Sequence, residues 1–166
     1  MPSFGISFRA TELAAEFARQ GHEVKVLTRY RDFDYNSFLS DVPVNLTMWS
    51  RNRFPLVPDY SVRPFNYLFR AIARLLTLLF EYPAIENMFK VRKILKQEKG
   101  YNLLISFAVP HPVHWGVAWA RSPGHNIADT WIADCGDPYM GDILDSYRHP
   151  FYFSLLEKWF CRKADF

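Results

Sequence analysis

The residues able to do chemistry fall in three short stretches. The first is the start of the chain, where Gly5 precedes an apolar-periodic run. Glycine takes positive φ where other residues cannot, and the first N–H groups of a helix have no intrahelical partner. A glycine loop opening a helix is therefore a place for an anion such as a diphosphate. Arg9, one turn in, could add a positive charge. The plainer alternatives are a turn glycine and a solvated helix arginine. The second stretch is Pro110 to His114. An imidazole there could bind a hydroxyl or stabilise charge, or it could simply cap or pack the following helix. His111 ranks ahead of His114 because it precedes that helix and faces the loop. The third is C-G-D-P-Y, Cys135 to Tyr139, in which Asp137 could accept hydrogen bonds from hydroxyls or close an Asx turn before Pro138. Asp137, Asp142 and Asp145 match no calcium-loop spacing, and the two cysteines match no metal-ligand spacing, so no metal is expected.

An alternation of helices and strands must position these groups. Ser7 is a candidate N-cap. Ala10, Leu13, Ala14, Phe17 and Ala18 make an apolar face with Arg9, Glu12, Glu16 and Arg19 on the wetter side, and Gly21 stops the helix. Val24, Val26 and Leu27 form a short buried strand within 23–28. Val44–Trp49 reads as the next strand, between loops at 29–41 and 51–64. Phe65–Phe80 carries a wide apolar stripe at helical spacing. Pro83 breaks it, and a basic helix, Ile85–Lys99, runs to Gly100. Asn102–Ala108 is the clearest strand. A helix at 114–121, a strand at Thr130–Cys135 and a helix at about 150–163 follow, and Ala164-Asp165-Phe166 has the pattern of a further strand beginning.

This order predicts an α/β fold, a Rossmann-like doubly wound parallel sheet with helices on both faces. Ligands bind such sheets at the carboxyl ends of the strands. The Gly5 loop, the 110–112 turn and the 136–138 turn should then converge on one crevice. In that fold the glycine loop normally follows a first strand, and here the loop stands at the start. The expectation is a single partial domain, 1–166, with its first strand missing, belonging to a longer protein.

The 166 residues suffice for one domain with a sound core. A net charge of +3 is too mild to indicate nucleic acid. No apolar run is long enough to cross a bilayer and no signal peptide is evident, so a cytoplasmic location is expected. Cys135 and Cys161 sit in apolar contexts and read as reduced core residues. Aromatics reach 17%, which fits a large core or a partner or membrane surface. Arg70, Arg74, Lys90, Arg92, Lys93, Lys96 and Lys99 stand beside Phe and Leu. That pattern suits peripheral membrane contact through helices 65–99, at the inner face of the cell membrane. Ordinary core helices with a solvated basic face are the plainer explanation.

The run Gly5–Thr28, G-I-x-x-R-x-x-E-L-A-x-x-x-A-x-x-G-H-E-V-x-V-L-T, resembles the amino-terminal end of glycosyltransferase family 4. These are retaining sugar-nucleotide transferases of the two-domain GT-B architecture. The L-E, basic, A-D succession from Leu155 to Phe166 is similar too, and the likeness is weakest at 32–97. The resemblance implies a hexosyltransferase of polysaccharide biosynthesis. It would move a sugar from a nucleoside diphosphate sugar to a glycan or lipid-linked acceptor, with no cofactor beyond that donor. Gly5 and Arg9 would approach the donor diphosphate, His111 would be catalytic, and His114 and Asp137 would meet the acceptor. Many members carry a histidine at the position that falls on Phe107 here, and some have R-D-x-W-P near Asp137. The main donor-binding residues would lie in a carboxy-terminal domain absent from this chain, so the 166 residues alone should be inactive. Two rivals stand. One is a non-catalytic carbohydrate- or nucleotide-binding module on the same fold. The other is a dinucleotide enzyme, which the lack of G-x-G-x-x-G after a strand disfavours.

Overall fold

A computed structural model of the chain describes residues 4–29, 43–51, 63–108, 110–136, 140 and 150–166. They divide into two compact units, Met1–Arg51 and Asn52–Phe166, and together they make a mixed α/β chain of five described helices and four described strands.

The first unit contains helix α1 (Phe4–Arg19) and strands β1 (Val24–Arg29) and β2 (Val44–Trp49). Gly21, at φ 87°, ends α1 as the periodicity requires. Its N–H donates to Ala18 (3.0 Å) and that of His22 to Phe17 (3.1 Å), the paired bonds of a Schellman motif. The chain then enters β1, which pairs with β2 in parallel, Val24 opposite Val44 through Arg29 opposite Trp49. Ala15 and Ala18 are buried on α1 and pack with Val24 and Val44. The start of α1 corrects the sequence reading. Gly5 is not in a loop and Ser7 is not an N-cap, because both lie inside the helix. A cap must stand outside helical backbone, and nothing in Phe4–Ile6 breaks a helix. Once nucleated, the helix gains a bond for each added residue, which offsets the roughly 0.5–1 kcal/mol that glycine costs.

The second unit runs α2 (Arg63–Phe80), α3 (Glu86–Leu95), β3 (Tyr101–Phe107), α4 (Pro112–Ala120), β4 (Ala128–Asp134) and α5 (Phe151–Cys161). β3 and β4 pair in parallel, Tyr101 opposite Ala128 through Phe107 opposite Asp134. The doubly wound sheet expected from the sequence is therefore present as two separate parallel pairs, and no described strand joins β1–β2 to β3–β4. The tail does begin to extend the second pair. Asp165 N–H donates to Trp131 (2.9 Å) and Ala133 N–H to Phe166 (2.9 Å). The Asp165 carboxylate accepts from Trp131 N–H at 2.8 Å and pairs with Arg121 at 2.7 Å. The Trp131 N–H first, and the Arg121 guanidinium second, hold that carboxyl below its ordinary value.

The core of this unit is aromatic. Trp115, Trp131, Phe153 and Phe160 are fully enclosed, with Trp115 stacked on Phe153 at 6.0 Å. α3 lies against α4 where Gly116 lets the backbones approach. A Cβ on Gly116 would stand 2.8 Å from both the Met88 carbonyl oxygen and Val91 Cβ. α3 ends at Leu95, well before the expected Lys99, and Gly100 (φ 78°) turns the chain into β3. Cys135 is half-buried but Cys161 is exposed, against the core position expected for it. The buried face of α5 is set by Phe153 and Phe160, and one residue on, the helix has turned about 100° away. No described helix is long and apolar enough to cross a membrane.

Candidate functional site

The carboxyl ends of β3 and β4, with the start of α4 above them, form the candidate site. β3 is apolar except near its ends, and Ser106 is its one polar residue carried into the core, 5% exposed. Beyond Phe107 the chain turns through Pro110 and His111. Pro112 is the first residue of α4, a position where the missing N–H costs nothing and φ is already helical. His111 thus occupies the N-cap position of α4. It has helical backbone and no capping bond from its side chain, and it is half-buried. β4 ends in an Asx turn, with Gly136 N–H donating to Asp134 Oδ1 at 3.2 Å and Gly136 at φ 68°. Asp134 is the strand-end structural residue that its context suggests.

Behind His111 lies a largely buried polar network. The His111 and His114 rings meet edge to face at 6.2 Å. His114 is fully enclosed and stacks on Phe160 at 5.3 Å. Its Nδ1 is 2.8 Å from Ser106 Oγ, and Trp131 Nε1 donates to that same oxygen at 2.8 Å. Indole N–H can only donate, so the Ser106 oxygen uses one lone pair for Trp131, and the hydroxyl donates to His114 Nδ1 in the tautomer that carries its hydrogen on Nε2. Nε2 lies 3.8 Å from Cys135 Sγ. Burial, reinforced by His111 nearby and opposed by the Asp134 carbonyl, lowers the His114 pKa to about 4. Burial likewise raises the Cys135 thiol. His114 and Cys135 are accordingly both neutral near pH 7, and the pair is not an activated nucleophile.

Of the candidates among the described residues, His111 stands at the strand ends with part of its surface accessible. His114 is adjacent but enclosed, so contact with an acceptor is closed to it in this conformation and its position is that of a support for the turn bearing His111. Arg9 is exposed on α1, and Gly5 lies in that helix's first turn, where N–H groups still lack intrahelical partners. Asp137 lies outside the described residues, as do Asp142 and Asp145. Among the described residues no group of three His, Cys, Asp or Glu side chains converges to hold a metal. Sequence reasoning missed Ser106 and Trp131. The signal for Ser106 was present, a single serine inside the apolar run NLLISFA.

A family model described as a glycosyl transferase 4-like domain matches residues 4–166. No curated protein and no solved structure matches the chain.

Proposed function

We propose that this chain, which belongs to the glycosyl transferase 4-like domain family, is the acceptor-side half of a retaining glycosyltransferase. The donor is a nucleoside diphosphate sugar, the group moved is a hexose, and the acceptor is a glycan or a lipid-linked sugar. The observation that carries this reading is the family match over nearly the whole chain. Placement of His111 at the carboxyl ends of a parallel strand pair supports it, since open α/β sheets bind ligands there.

In such a transfer, charge develops on the departing diphosphate. Donors already aimed at that charge lower the barrier most. The N–H groups of the first turn of α1, around Gly5, with Arg9 one turn in, suit the diphosphate. His111, in the second unit, is the catalytic candidate and meets the acceptor, and Asp137 binds acceptor hydroxyls. The remaining donor-binding groups belong to a second domain, and activity requires it. The test is a transfer and hydrolysis assay with nucleoside diphosphate hexoses on the complete enzyme, wild type against His111→Ala. Turnover that falls in the variant without loss of folding supports the reading. Sugar or nucleotide binding without any turnover in the wild type refutes it and favours a binding module.

A further inference from the structure

We propose that Trp131, Ser106 and His114 form a positioning network that holds the turn bearing His111 and so sets the rate of transfer without touching substrate. The inference rests on the reading of His111 as the catalytic candidate. It starts from where polarity is buried. Among the described residues the buried polar side chains are Asn87, Ser106 and His114, and the last two meet each other under the strand ends. A polar side chain in the interior costs free energy unless its partners are inside too. An apolar residue of similar size would fill the space without that requirement.

Here the partners are supplied. Ser106 Oγ lies 2.8 Å from His114 Nδ1 and 2.8 Å from Trp131 Nε1, so one oxygen joins α4 to both β3 and β4. The far side of the same imidazole closes the frame. Its Nε2 stands 3.8 Å from Cys135 Sγ, just past the end of β4, and the ring stacks on Phe160 of α5 at 5.3 Å. Ala108 N–H donates to the Asp134 carbonyl at 2.9 Å, which ties the two strand ends together where the turn begins. His111 is joined to this frame twice. The His114 N–H donates to the His111 carbonyl at 2.9 Å, and the two rings meet edge to face at 6.2 Å. A satisfied buried network rigidifies what it touches. A reacting group misplaced by about 1 Å can cost roughly a hundredfold in rate. His114 is sealed from substrate, so any effect it has on the rate runs through the neighbour it holds.

The test is a double-mutant cycle in the complete enzyme. Transfer from nucleoside diphosphate hexoses is measured at a temperature where circular dichroism shows each variant folded. His114→Phe keeps a ring beside Phe160 and removes both nitrogens, and Ser106→Ala removes the shared oxygen. Each should lower kcat about tenfold with donor and acceptor KM unchanged. His114→Asn, which can still bond to Ser106, should recover part of that loss. In a His111→Ala background the same substitutions should lower kcat no further, because the group they position is gone. Losses that multiply in that background would overturn the proposal. So would a kcat that neither His114→Phe nor Ser106→Ala changes, or a failure of all three variants to fold, which would leave the network a stability feature alone. A fully active His111→Ala enzyme, or a wild type without turnover, would instead refute the reading of His111, and the proposal would fall with it.

Discussion

Acid should destabilise the second unit through one residue, His114. The folded state holds its pKa at about 4 against an ordinary value of 6.5. Above pH 6.5 the ring is neutral whether the chain is folded or unfolded, and it adds no pH dependence. As pH falls below 6.5 the unfolded chain takes up a proton that the folded chain refuses. Stability therefore declines through that window until the folded pKa is reached. Linkage puts the loss at about 2 kcal/mol by pH 5 and about 3 kcal/mol by pH 4, a large share of the roughly 5–15 kcal/mol typical of a domain. Four of the five tryptophans lie in the second unit, so intrinsic fluorescence during urea unfolding reports mainly on it. His114→Asn is the useful comparison, since its carbonyl can still accept from Ser106 while the titration is gone. The variant will be less stable at pH 7, from the space it leaves. Between pH 7 and pH 5, however, the wild type should lose about 2 kcal/mol more than the variant. Parallel pH curves, or a native-state imidazole that titrates near 6.5 by NMR, would refute the argument that burial keeps this ring neutral.

Four further outcomes are expected. His111→Ala in the complete enzyme should lower transfer about a hundredfold with an unchanged melting point, and Asp137→Asn should act more weakly, mainly on acceptor KM; steady-state kinetics decides both. Gly116→Ala should destabilise by about 1–3 kcal/mol, although alanine is the better helix former by roughly 1 kcal/mol. Its Cβ meets a backbone oxygen and Val91 at 2.8 Å, and thermal melts that show stabilisation would mean that α3 can move aside freely. Ser106→Ala should cost about 1–3 kcal/mol for each of the two buried groups it orphans, Trp131 Nε1 and His114 Nδ1. Denaturant titration reads the loss, and a neutral result would deny the network its role.

What the sequence made legible is what local chemistry decides. Gly21 has no side chain to resist φ 87°, and the residues before it have helical spacing, so the end of α1 and the start of β1 could be read directly. The strand runs at 44–49 and 102–108 and the tail beginning to pair at Asp165 follow from equally local signals, whereas α4 begins at Pro112, two residues before the expected start at 114. The beginning of α1 was misread because capping depends on where the preceding chain goes, and Ser7 looks the same inside a helix as at its edge. Alternation of elements specifies parallel neighbours, and the described strands show two such pairs without a full doubly wound sheet.

The two histidines show the same limit at the site. His111 and His114 are three residues apart with nearly identical surroundings in sequence. Only the packing of α4 between α3, β3 and Phe160 of α5 decides that one keeps an accessible ring and the other is sealed. The network behind His114 draws on two strands, Ser106 on β3, which His114 meets, and Trp131 on β4, which donates to Ser106, brought together by a register that no short window contains. The stripe on α2 carries the argument one step further. Periodicity announces that an apolar face must be covered, but it is silent on what covers it. On α3 the cover is another helix, α4, and the basic residues Arg92 and Lys90 are engaged within the protein. On α2, Leu68, Ile72 and Leu75 remain exposed, so the stripe could be read from the sequence and its cover could not.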